Sequence, residues 1–198
     1  MAAFGATYLA VAKVASEGTN TITYSAGSQV EHLRRVAITY NWDESKLYGD
    51  NMLAEYYKAL TDADIEIETT ELTPEVATTL GLEKVKTPAT TGQTPTPAVY
   101  TLKTEAADPV GLGFVQCLII NGSKLFRGIW VHKVTFTAGN EEGNTKEETM
   151  NWGTPTISGK AWPIMLDASG EAQVRDFSEF STEASAIAWV KGKAGITG

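Results

Sequence analysis

The sequence predicts a mainly β chain of the α+β kind: a two-sheet β-sandwich or partial barrel, with one short flanking helix and a second helix near the C-terminus. Three observations predict it. Short runs of β-branched and aromatic residues recur between clusters of turn residues. The two strongest runs, Leu112–Ile120 and Leu125–Thr137, flank Asn121-Gly122, a dipeptide favoured in two-residue hairpin turns because both positions need φ > 0. Only two segments carry the start and stop signals of a helix.

Taken in order, Thr21–Tyr24 is a short β-branched and aromatic strand ending at the turn-prone Ser25-Ala26-Gly27-Ser28. Val30–Tyr40 alternates, with Val36, Ile38 and Tyr40 on one face. Asn41–Asn51 follows, rich in polar and aromatic residues, with Trp42, Asp43, Tyr48 and Asp50. Met52–Leu60 fits two patterns. Met52, Leu53, Tyr56, Tyr57 and Leu60 form a helical stripe, while the Tyr56-Tyr57 pair favours a strand. In Asp64–Leu72, Ile65 and Ile67 alternate with Glu66 and Glu68, the period of a half-buried strand. Thr73–Gly81 is a short helix: Thr73 can cap it, Pro74 suits the first turn, Glu75 complements the dipole and Gly81 can end it. Thr87–Pro97 and the acidic Ala138–Glu148 read as loops. Thr154–Lys160 and Trp162–Leu166 are short strands, and Pro155 and Pro163 suit them to edges or bulges. Thr182–Lys191 is a helix with Ala184, Ile187, Ala188 and Val190 in its apolar set, stopped by Gly192 and Gly195.

The 198 residues fit one domain over 1–198 with N- and C-terminal arms. A hydrophobic fraction of 42% and a charged fraction of 20% are those of a globular chain. Sixteen basic against 24 acidic residues leave −8, which gains nothing from phosphate neutralisation and argues against nucleic-acid binding. Cys117 is the only cysteine, so no internal disulfide forms, and its apolar surroundings suit a small core residue better than a reactive thiol. The N-terminal residues have no basic stretch followed by an apolar core, and no run approaches a membrane span. The expectation is a chain made and folded in a cytoplasm.

Catalytic patterns are absent. Gly111-Leu112-Gly113 opens a strand, not a helix, so it is no phosphate loop. His132 lies farther from the hairpin turn than Cys117, too far for a Cys–His nucleophile. Glu66, Glu68 and Glu71 suit a solvated strand face better than a glycosidase pair. The acidic loop lacks calcium-loop spacing, and the five tryptophans are scattered rather than grouped as a stacking platform. No enzyme activity, metal or cofactor is expected.

Several motifs in order resemble one family. Lys46-Leu47-Tyr48-Gly49-Asp50-Asn51 precedes the alternating Ile65-Glu66-Ile67-Glu68, and Leu72-Thr73-Pro74-Glu75-Val76 comes next. Gly111-Leu112-Gly113-Phe114-Val115, Trp130-Val131-His132-Lys133-Val134 and Thr154-Pro155-Thr156-Ile157-Ser158-Gly159 continue the series. Together they resemble the major tail proteins of siphophages that infect Gram-positive bacteria, over roughly residues 5–165; the C-terminal helix departs from that pattern.

The resemblance implies a tail-tube β-sandwich flanked by a helix, without the added immunoglobulin-like domain of longer members. It implies a virion protein forming stacked hexameric rings, the tube of a long non-contractile tail, assembled in the host cytoplasm. The implied partners are other copies of the chain, a tape-measure protein, and tail terminator and tail-tip proteins. DNA passes through without specific binding, and no membrane is involved. It also makes Asn41–Asn51 a loop that reaches beyond its own subunit, and it favours a strand over Met52–Leu60. Trp42, Asp43, Tyr48 and Asp50 are then expected at contacts between rings or subunits, and Glu66 and Glu68 on an electronegative lumen wall. The alternative is a non-catalytic β-sandwich binding module, of carbohydrate-binding or adhesin type, or another phage structural protein.

Overall fold

The computed structural model describes residues 2–49, 52–88, 90–91, 96–105, 107–139, 155–166 and 171–196. In chain order the elements are β1 (Ala2–Glu17), β2 (Ile22–Val30), β3 (Leu33–Gly49), β4 (Met52–Thr69), α1 (Pro74–Thr79), β5 (Glu83–Thr87) and β6 (Val99–Leu102). Next come β7 (Val110–Ile120), β8 (Ser123–Thr137), β9 (Thr156–Ala161), β10 (Ile164–Met165), β11 (Ala172–Gln173), β12 (Arg175–Phe180) and α2 (Glu183–Ala194). The fold is mainly β. An eight-stranded sheet runs β2-β1-β7-β8-β9-β4-β3 with β12 also on β8, and β5-β6 and β10-β11 form small separate sheets.

The long strand β8 organises the sheet. One edge pairs with β7 from Ser123 to Val134. The other edge is divided: β12 takes Phe126–Val131 and β9 takes Val134–Thr137. One layer is therefore β2-β1-β7-β8-β12 and the other β8-β9-β4-β3, joined through β8. Leu9 and Val11 of β1 meet Ile65 and Ile67 of β4 in a single core with Leu112, Val131, Val134 and Phe136. The sheet thus curls around that core as a partial barrel. At roughly 25 cal/mol per Å² of apolar surface, burying such side chains is the main source of stability.

The local rules act where expected. Asn121 and Gly122 have φ of 49° and 80°, as a hairpin turn of this type requires. Thr73 caps α1, its hydroxyl accepting from the Val76 amide, and Val76 and Leu80 enter the core beneath it. Ile65 and Ile67 are buried while Glu66 and Glu68 face outward. α2 is capped by Thr182 and ended by Gly195 at φ 69°. Gly192 lies inside the helix, a correction to its expected role as a stop.

Other boundaries also move. Ser25–Ser28 does not end the first strand: β2 runs on to Val30, and the segment forms a bulge, with Lys13 opposite Ser25 and Val11 opposite Ser28. The expected strand Val30–Tyr40 is split by His32, at φ 58°, and its second part begins at Leu33. Met52–Leu60 is strand, as part of β4. Of the expected Thr87–Pro97 loop, Thr87 instead ends β5 opposite Val99, and Thr90 bridges Thr96. Most of the acidic Ala138–Glu148 segment lies outside the described residues.

Candidate functional site

The expected Asn41–Asn51 loop is strand over its described residues. Residues 41–49 complete β3 and pair with β4, from Asn41 opposite Asp62 to Gly49 opposite Met52. Among the described residues β9 supports β4 only over Ala63–Glu68, and no other strand flanks the pair. Beyond Ala63 the two strands therefore continue as a two-stranded ribbon. At about 3.3 Å per residue, the stretch from Trp42 to Gly49 extends roughly 25 Å. Side chains on both faces are exposed. Trp42 is 53% exposed, Tyr48 65%, Met52 73% and Tyr57 69%, with Leu47 and Tyr56 comparably open.

The alternation of a strand sorts the ribbon's faces. Trp42, Glu44 and Lys46 lie opposite Leu60, Lys58 and Tyr56. There Lys58 bonds Glu44 at 2.8 Å and sits 5.4 Å from the Trp42 ring centre, while Lys46 sits 5.8 Å from that of Tyr56. The Lys58 ammonium holds the Glu44 carboxyl below its ordinary value. Asp43, Ser45 and Leu47 lie opposite Ala59, Tyr57 and Glu55 on the other face. The expected contact residues Trp42 and Asp43 thus point to opposite faces, and Tyr48 lies near the tip beside a register shift. Asp50 lies outside the described residues.

Glu66 and Glu68 share the outer face of β3-β4-β9, but not as free carboxylates. Arg35 reaches both, at 2.8 and 3.0 Å. Next to them Lys160 contacts Asp62 and Asp64 at 3.2 and 3.4 Å, and the Asn41 amide donates to the same two carboxylates. Asn41 first, then Lys160, holds Asp62 below its ordinary value. These four carboxylates and two cations leave the face net acidic. Such exposed pairs contribute little to stability.

A polar cluster of a kind absent from the sequence reading lies on the far side of the β1-β7-β8 layer. Tyr24 of β2, His132 of β8, Asp176 of β12 and Lys193 of α2 converge on a groove of about 630 Å³ also lined by Asn20, Trp130 and Gln173. The Tyr24 hydroxyl donates to the His132 carbonyl at 2.9 Å. His132 Nε2 faces Asp176 Oδ1 at 3.2 Å, off the line of a full hydrogen bond. Asp176 Oδ2 accepts from Lys193 at 2.8 Å. Burial pushes Tyr24 up to about 12 and pushes His132 below its ordinary value, against the pull of Asp176. Burial raises the Asp176 carboxyl, but Lys193 and His132 outweigh that and hold it below the ordinary range.

Cys117 pairs with Phe126 in the β7–β8 ladder, well along the hairpin from His132, so no Cys–His pair forms. Among the described residues no group of three or more His, Cys, Asp or Glu side chains is placed to hold a metal ion. No helix among them is long and apolar enough to cross a membrane. The chain matches no model of a known protein family, and a search of curated proteins finds no matching relative.

Proposed function

We propose that the chain is a structural subunit that polymerises with its own copies as stacked hexameric rings, forming the tube of a long non-contractile phage tail. The observation that carries this reading is the ribbon. Two strands without a third partner are marginal in water, and large apolar side chains exposed together mark a protein contact. An exposed, aromatic ribbon on both faces suits insertion between neighbouring copies. The motif order that resembles siphophage major tail proteins supplies the kind of assembly.

In this reading Trp42, Asp43, Tyr48 and Asp50 belong to contacts between rings or adjacent subunits. The outer face of β3-β4-β9, with Glu66 and Glu68, lines the lumen. Its net acidity repels the phosphate backbone, so DNA passes without specific binding. A tape-measure protein occupies the tube before DNA does, and terminator and tail-tip proteins close its ends. The place of action is the virion tail, after assembly in the host cytoplasm. Free subunits stay monomeric until a tail-tip complex starts growth.

Light scattering and electron microscopy over a wide concentration range, with and without tail-tip components, test the reading. Rings or tubes are expected. A strict monomer under every condition overturns it, and glycan binding by that monomer would replace it with a binding module.

A further inference from the structure

Apart from the Cys117 thiol, His132 is the one ionisable side chain among the described residues that is buried, at 2% exposure. It lies beneath the C-terminal unit, β12 and α2, which docks on the sheet in two ways. Ala186, Val190 and Ala194 pack on Ala10, Ala12, Val115 and Trp130. In its last turn, beside the packed Ala194, the helix also has a polar attachment, running from Lys193 through Asp176 to His132.

We propose that His132 is an acid-operated latch, and that its protonation releases the C-terminal turn of α2 from β12 and opens the groove beneath. At neutral pH one carboxylate, Asp176, serves one ammonium, Lys193. A proton on His132 puts a second cation 3.2 Å from that carboxylate, inside the fold. Among the described residues the remaining neighbour, Tyr24 of β2, stays a neutral phenol and offers no second anion. Two cations then compete for Asp176. Lys193 is the one able to leave, because it lies in the last turn of α2 beside the left-handed Gly195 and is partly solvated already. Its departure admits water to the imidazolium, which removes the penalty of burying charge. The lowered proton affinity of His132 fits this scheme, since charging it costs more in the closed form. Asp176 keeps its charge in mild acid because its carboxyl is held below the ordinary range. The inference stands independently of the tail reading.

Hydrogen exchange of the full chain, compared near pH 7.5 and at about pH 5 after correction for intrinsic rates, tests it. Amides of Glu183–Ala194 are expected to lose about tenfold in protection at the lower pH, while those of β4 and β7 keep theirs. The His132 ring resonance should titrate with the same midpoint. In His132→Asn the helix should be equally protected at both values. Equal protection in the unsubstituted chain overturns the proposal, and so does an undiminished acid loss in His132→Asn. Should that variant not fold, Lys193→Gln decides: removing the competing cation should abolish the pH dependence, and its persistence overturns the latch.

Discussion

Gly113 sits on β7 where a methyl group has no room: a Cβ there would stand 2.5 Å from Trp130 and 2.6 Å from Val190 of α2. Gly113→Ala should lower stability by about 1–3 kcal/mol through overpacking, read as a lower urea midpoint with unchanged slope. Stability should also fall with acid, in two stages. His132 has its folded value below the ordinary 6.5, so the unfolded chain binds the proton first. Its contribution is complete above that value, is lost as pH falls through it, and levels off below the folded value. Asp176 is likewise depressed, so its contribution is present above the ordinary 3.8 and is lost as pH falls through the lowered one. Urea midpoints across pH should show both stages, and His132→Asn should lack the upper one. Little of this was legible in the sequence. The sequence sets His132 only against Cys117, on the opposite arm of the same hairpin and too far along it to pair. Its actual partners come from β2, β12 and α2, strands and a helix distant in the chain, and no spacing pattern brings them together.

At the scale of elements, the ribbon of β3 and β4 is where assembly is to be tested. Trp42→Ala with Tyr48→Ala should stop tube growth while shifting subunit stability by no more than about 0.5 kcal/mol, since both side chains are exposed. Normal tubes from the double variant would remove the ribbon from the contact. The caps give a control: Thr182→Ala removes the hydroxyl that accepts from the Ser185 amide and should cost about 1 kcal/mol in thermal or urea unfolding. Elements with one wet face were legible: the Ile65/Ile67 alternation, the Asn121-Gly122 turn and the Thr73 cap all act as their chemistry requires. β1 was not. It is covered on both sides, Leu9 and Val11 by the main core and Ala10 and Ala12 by α2, so its sequence does not alternate. Over Met52–Leu60 the period misleads for the opposite reason, and only the resemblance favours the strand that forms. With Met52, Tyr56 and Tyr57 all exposed, nothing there sets a period of two, and the apolar residues of Met52–Leu60 fall by chance on a helical stripe.

At the scale of the whole molecule, −8 per chain makes copies repel one another, so tube growth should be faster at higher salt, where screening shortens the reach of that charge. Light scattering across ionic strength checks this. Within an assembled tube, Glu66→Lys with Glu68→Lys should leave rings intact yet slow DNA ejection, most strongly at low salt. Unchanged ejection there would take this face out of the lumen without removing the chain from the tail. The division of β8 between two partners has a mechanical consequence. A pull on the ribbon passes along β4, crosses its ladder to β9, and reaches β8, β12 and the base of α2 without meeting a linker. Hydrogen bonds along that route are loaded together in shear, so the chain is expected to carry tension as one strut. A stretched column of such subunits is expected to part at the joints between copies before any one of them yields.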